Sequence, residues 1–118
     1  MLMAISHNET TPGTIVIKVS GKVMMGQESE QIVTLVDDLL ARGKRVIIFD
    51  IGAVTHIDST GIGRFISSYN KIAATGGEMR MAGAAGTLFQ AFHVSMLDTV
   101  FRFFPSVEEA SKASRSIS

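Results

Sequence analysis

The segment 58–63 (DSTGIG) places a carboxylate, two hydroxyls and two glycines between a buried apolar stretch and an amphipathic one. Asp58 or Ser59 can cap a helix there by accepting hydrogen bonds from the first free backbone N–H groups. Gly61 and Gly63 leave the start of that helix thinly covered, so that another backbone can approach closely. The segment therefore predicts either an ordinary helix cap or a hydroxyl presented to a second molecule.

The motifs of enzymes are incomplete around these residues. A nucleophile elbow requires G-x-S-x-G, and Ile57 stands where its first glycine belongs. A phosphate-binding loop requires G-x-x-x-x-G-K-[ST], and the Gly-Lys pairs at 21–22 and 43–44 lack both the upstream glycine and the following hydroxyl. The dinucleotide fingerprint lacks its third glycine, because Ile66 occupies that position. We expect a protein that is not an enzyme and has no cofactor, with a serine-dependent enzyme as a distant alternative.

The residue types and spacings of metal-binding sites are also missing from the sequence. The chain has no cysteine, and its three histidines are dispersed. Asp50 ends a predicted strand, as in a phospho-accepting receiver domain, but the acidic pair that holds Mg²⁺ in such a site is missing after the first strand. No metal site is predicted.

Composition limits the class of partner. The 118 residues carry 11 Lys+Arg and 11 Asp+Glu, and this zero net charge supplies no field to attract nucleic acid or anionic lipid. The longest apolar run, 46–49, is far shorter than the roughly 20 residues that span a bilayer. The start of the chain lacks the basic and apolar regions of a signal peptide. We expect a cytoplasmic protein without direct nucleic-acid or membrane binding, one domain over 1–118, with 112–118 frayed.

Alternating and helical patterns predict the elements that position the segment 58–63. Two short strands joined by the turn 11–13 (TPG) form a hairpin, with Gly21 ending the second strand. A helix follows, and then a strand over 45–51 that is apolar from Val46 until Asp50, a pattern typical of burial on both faces. After Asp58, a second helix has apolar and polar sides and ends at 75–77.

The remaining pattern completes an α/β order. A strand over 78–82, a short helix, a strand near 100–103 and a terminal helix with a capping box at 106–109 follow one another. We predict a mixed sheet of four to five strands with about four helices mainly on one face, leaving the second sheet face less covered.

With these elements around it, the segment 58–63 resembles the core motif of the STAS domain, and is most similar to the bacterial anti-sigma factor antagonists. The resemblance covers nearly the whole chain, from the opening hairpin to the terminal helix. It implies that Ser59 is a phospho-acceptor within a loop formed by Asp58, Thr60, Gly61 and Gly63. It also implies a serine kinase partner, the cognate anti-sigma factor, and a PP2C-type phosphatase. The unphosphorylated antagonist binds the anti-sigma factor and frees the sigma factor.

A partner surface is predicted around Ser59, on the outward face of the second helix and in the loop 21–26. Its candidate residues are Gly21, Lys22, Met24, Met25, Arg64, Ser67, Ser68 and Lys71. Relatives often carry an aspartate where this chain has Met24. Two interpretations of Met24 and Met25 remain open, an adaptable exposed contact and ordinary core packing. A STAS module that serves as a scaffold or accessory subunit without a phosphorylation switch is the alternative function.

Overall fold

The computed structural model describes residues 2–115 and has an α/β fold built on one five-stranded sheet, whose strand order follows the chain. The first two strands pair antiparallel, and the other neighbouring pairs are parallel. The strands are β1 (Ala4–Thr11), β2 (Thr14–Val23), β3 (Val46–Ile57), β4 (Glu78–Ala82) and β5 (Arg102–Phe104), and the helices are α1 (Gln27–Ala41), α2 (Ser59–Ala74), α3 (Gly86–Val94) and α4 (Val107–Lys112). The predicted mixed sheet with four helices is confirmed. The predicted fraying over 112–118 falls partly on 116–118, outside the described residues.

The main core lies on one face of the sheet, beneath α1, α2 and α3. Alternate residues of β2 and β3, such as Ile17 and Phe49, point into it because successive side chains of a strand face opposite sides. Phe49, Phe65 and Phe92 join the sheet to α2 and α3 through edge-to-face ring contacts, with centroids 5.1 Å and 5.8 Å apart. Three helices thus share one face, as predicted.

The second face of the sheet is covered by α4. A smaller buried cluster there contains Ile48, Ala82 and Ala110. Ser106 caps this helix by accepting a hydrogen bond from the Glu109 N–H at 3.2 Å, which is one of the two hydrogen bonds of the predicted capping box. Because α4 has only six residues, part of this face stays open.

The hairpin is confirmed, but the prediction that Gly21 ends its second strand is wrong. β2 continues to Val23, and Gly21 lies within it at a positive φ of 82°, next to a shift in the strand register. A Cβ at this position would lie 2.3 Å from the Leu2 carbonyl oxygen, so only glycine fits.

β3 is longer than predicted because it runs on alongside β2 to Ile57. The pairing of β3 with β4 stops at Asp50 and Ala82, and beyond that point the paired residues of β3 have partners in β2 alone. We call this projecting part, residues 20–23 with 51–57, the β2–β3 extension. It is the element that carries the loops described below.

Among residues 2–115, no helix is both long and apolar enough to cross a membrane. Over the same residues, no group of three or more potential ligand side chains is arranged to hold a metal ion.

Candidate functional site

Two loops lie side by side at the tip of the β2–β3 extension. Val23 and Ile57, the last residues of β2 and β3, are partners in the parallel register. The chain therefore leaves both strands at the same sheet edge. The segment Met24–Gly26 leads into α1, and Asp58 leads into α2. The sequence motif at 58–63 is thus brought against a loop that is distant in sequence.

Asp58 joins these two loops with both of its carboxylate oxygens. Oδ1 accepts a hydrogen bond from the Gly61 N–H at 2.8 Å, which makes Asp58 the N-cap of α2. Oδ2 accepts a second bond from the Met25 N–H at 2.9 Å. The Asp58 N–H in turn donates to the Val23 carbonyl oxygen at 3.4 Å. Of the two caps that the sequence allows, the structure has Asp58.

The same hydrogen bonds explain the electrostatics of Asp58. The Gly61 N–H is the main reason that the pKa of this carboxyl lies below its ordinary value of 3.8, and the Met25 and Thr60 N–H groups add to the effect. Burial acts in the opposite direction and is outweighed. Asp58 is therefore ionised at neutral pH and places a negative charge beside Ser59.

Ser59 is the first residue of α2 and its side chain is exposed. The N-terminus of a helix carries a partial positive charge and free N–H groups, which favour an added anion. Within residues 2–115, the Ser59 hydroxyl takes part in no hydrogen bond, and the nearby His56 imidazole is bonded to the Thr55 hydroxyl at 3.0 Å. The arrangement presents an accessible hydroxyl without a neighbouring base bonded to it.

The packing of the chain explains one of the two glycines of the motif but not the other. A Cβ at Gly61 would lie 2.0 Å from the Val23 carbonyl oxygen, so the close approach of α2 to β2 requires glycine there. A Cβ at Gly63 would meet nothing within 4 Å. The chain's own packing therefore gives no reason for glycine at position 63, and the surface above it is open.

The segment Met24–Gly26 is fixed at its far end as well. The Gly26 carbonyl oxygen accepts hydrogen bonds from the Ser29 hydroxyl at 3.2 Å and from Arg64 Nη2 at 3.3 Å. Arg64 Nε also donates to the Ser29 hydroxyl oxygen at 3.0 Å. Met24 and Met25 are 39% and 80% exposed. Of the two interpretations of this pair, core packing is wrong, and a contact with a partner stays a prediction.

The predicted outward face of α2 is partly wrong. Ser68 is fully buried and donates a hydrogen bond to the Arg64 carbonyl oxygen at 2.8 Å. Lys71 forms an ion pair with Asp37 of α1 at 3.1 Å, and Arg64 faces the start of α1. Since residues at this spacing share one helix face, α1 covers the side that the sequence assigns to solvent.

The remaining predicted partner residues divide between the surface and the interior. Lys22 and Ser67 are exposed, whereas Gly21 is buried inside β2. The sequence interpretation missed Ser29, a buried serine in the first turn of α1 that holds the Met24–Gly26 segment. Its only sequence signal is a hydroxyl three residues after Gly26, which is common at helix starts.

The chain is similar to a known family and to several solved structures. The family model of the STAS domain matches residues 7–110. An anti-sigma factor antagonist from Mycobacterium paratuberculosis is 20% identical, covering 98% of this chain and 96% of that chain, with a TM-score of 0.79. The Bacillus cell fate determinant SpoIIAA in its phosphorylated form is 23% identical, over 92% and 96%, with a TM-score of 0.74. A sulfate transporter family protein from Wolinella succinogenes is 17% identical, over 87% and 85%, with a TM-score of 0.76. At these identities, the similarity to the solved structures shows the fold.

Proposed function

Because the chain belongs to the STAS domain family, we propose that it is an anti-sigma factor antagonist controlled by phosphorylation of Ser59. In its unphosphorylated form it binds an anti-sigma factor that is also a serine kinase, and so releases a sigma factor for transcription. A PP2C-type phosphatase returns it to the binding form. It acts in the cytoplasm as a single STAS domain over 1–118, without enzymatic activity or cofactor of its own.

The observation that carries this proposal is the exposed hydroxyl of Ser59 at the start of α2, beside an ionised Asp58. Phosphorylation adds about −1.5 to −2 charges. Within the free domain, the helix N-terminus stabilises that charge, so the fold survives. In a complex, the phosphate and the Asp58 carboxylate together meet a surface that fits a hydroxyl.

The expected size of the effect is large enough for a switch. An unpaired charge buried at an interface costs about 2–5 kcal/mol, which corresponds to a loss of affinity of roughly thirtyfold or more. The proposed mechanism is therefore repulsion and desolvation at the interface, with no refolding of the antagonist.

Phosphorylation and binding assays test this function together. The purified chain is incubated with ATP and each anti-sigma factor kinase of its own cell, and the phosphorylated residue is identified by mass spectrometry. We expect phosphate on Ser59, no phosphate on Ser59→Ala, and retained kinase binding by Ser59→Ala. Ser59→Asp should bind at least about thirtyfold more weakly. Equal affinities of the Ala and Asp variants for the kinase would contradict the switch.

A STAS subunit of a larger assembly is the second candidate function. One observation favours it, namely the similarity to a sulfate transporter family protein. This function predicts no phosphorylation by any kinase of the cell, and a complex that forms equally well with wild type and Ser59→Asp. The same assays therefore separate the two functions.

A further inference from the structure

A cleft of about 230 Å³ opens next to the Met24–Gly26 segment, and Met24 is its one lining residue among the predicted partner residues. One wall is the end of β3, at Thr55, His56 and Ile57, and Met24 closes one side. The opposite wall comes from the first two turns of α3, with Thr87, Leu88 and Ala91. The cleft thus adjoins the Ser59 loop but is built partly from a helix that the sequence motif does not include.

The lining of this cleft, which we call the Met24 cleft, selects against charge. Its side chains are apolar or carry hydroxyls, and the His56 imidazole is its single titratable group. A charged group entering such a site loses hydration without gaining an ion pair, whereas an apolar group gains by burial. The lining therefore fits an uncharged, apolar side chain.

The neighbouring Met25 has the properties of an anchor. Its side chain is 80% exposed, yet its backbone is held by Asp58, and the following Gly26 is held by Ser29 and Arg64. Fixing the backbone that carries an apolar side chain before binding reduces the entropy that association must remove from the segment. Methionine also adapts its shape to a partner surface.

Resting on the proposed function, we propose that Met25 and the Met24 cleft form an apolar docking contact for the kinase partner. Met25 inserts into the partner, and the cleft receives one leucine-like side chain from it. The mainly apolar lining, which contains no carboxylate, lysine or arginine, and the continuity with the Ser59 loop both favour this occupant over a charged segment. The contact strengthens the complex in a way that does not depend on the Ser59 hydroxyl.

A small probe tests the cleft without any kinase. Methyl NMR of methionine-labelled protein follows a titration with N-acetyl-leucinamide, and N-acetyl-glutamate amide serves as the charged control. We expect a saturable shift of the Met24 methyl with the leucine probe only, and no shift of Met96, which is 68% exposed outside the cleft. Equal shifts of Met24 and Met96, or no shift of either, would overturn the proposed cleft.

Binding of kinase by Met25→Ser and Met96→Ser tests the anchor, since both variants remove an exposed methionine. We expect about tenfold weaker binding for Met25→Ser and no change for Met96→Ser, with both variants folded by circular dichroism. Equal affinities would remove Met25 from the contact.

Sedimentation of the free chain checks whether a second copy occupies the cleft, in which case Met25→Ser makes a dimer dissociate. If no kinase phosphorylates or binds wild type, the proposed function fails, but the leucine probe still reports on the cleft.

Discussion

At the residue scale, Asp58 connects two segments that are 33 positions apart in the sequence. Its two oxygens accept hydrogen bonds from the backbone of α2 and from the loop before α1. The same carboxylate caps a helix, fixes Met25 and sets the charge beside Ser59. Its substitution should therefore change both stability and the shape of the contact surface.

The first prediction concerns the pH dependence of the Asp58 contribution. In Asp58→Asn, the single amide oxygen can still accept from the Gly61 N–H, but the NH₂ group that faces the Met25 N–H cannot accept a hydrogen bond. We therefore expect the free energy of unfolding to fall by about 1 kcal/mol at pH 7. Because the folded-state pKa of Asp58 is lowered, its stabilisation is fully present above the ordinary value of 3.8 and disappears as the pH falls through the folded-state pKa.

Urea unfolding at pH 7 and at pH 2.5, roughly one unit below the ordinary pKa of an aspartate, measures this difference. The gap in unfolding free energy between wild type and Asp58→Asn should narrow at the lower pH. A gap that stays constant or widens would show that the charge of Asp58 does not contribute through these hydrogen bonds. Asp38→Asn is a matched control, because that aspartate has an exposed ion pair with Arg42.

At the element scale, the first two turns of α2 contain one glycine, Gly61, that the packing of the chain requires and one, Gly63, that it does not require. Gly61 lies against β2, and Gly63 faces open space. Glycine within a helix destabilises it by about 0.5–1 kcal/mol relative to alanine. Glycine at position 63 therefore lowers the stability of the helix without relieving any contact within the chain. Its lack of a side chain fits a surface that another molecule approaches closely.

Two alanine substitutions test this difference within one helix. Gly61→Ala should destabilise the domain by about 1–3 kcal/mol, because its Cβ would clash with the Val23 carbonyl oxygen. Gly63→Ala should stabilise the domain by about 0.5–1 kcal/mol while weakening kinase binding. Thermal unfolding and binding titrations measure the two effects. Unchanged kinase binding by Gly63→Ala would remove this turn from the contact.

The elements themselves follow largely from the sequence, and the exceptions have physical causes. The apolar run in β3 and the cap of α2 are local patterns that a single segment displays. The sequence does not predict the extension of β3 to Ile57, because its exposed polar residues are held in a strand by pairing with β2. The sequence assigns the polar side of α2 to solvent because nothing in it shows that Ser68 is buried or that Lys71 pairs with a residue of α1.

At the scale of the whole molecule, the sheet separates two structural tasks. One face carries the large core with α1, α2 and α3, and the other is partly covered by the short helix α4. Arg80 is buried on this second side, where Nε bonds to Glu78 at 2.8 Å and Nη1 donates to the Ala110 carbonyl oxygen at 2.8 Å. The alternating pattern of β4 predicts a strand but does not reveal that its arginine fastens α4.

The last prediction concerns this attachment of α4. Arg80→Met should destabilise the domain by about 2 kcal/mol, since it leaves the Ala110 carbonyl without its donor while Glu78 keeps Arg102 as a partner. Lys112→Met, which removes an exposed ion pair with Glu108, should change stability by less than about 0.5 kcal/mol. Hydrogen exchange should show α4 amides losing protection only in Arg80→Met. Protection equal to wild type would place the attachment of α4 elsewhere.

The β2–β3 extension has a consequence for how such a domain can diversify. Its tip holds Met24, Met25 and Ser59 beyond the point where β4 stops, and these three side chains lie outside the buried core. Mutations at the tip can therefore accumulate with little loss of stability, while the core keeps the scaffold intact. If the proposed function holds, a change of a few tip residues therefore alters which partner the domain selects while its fold stays the same.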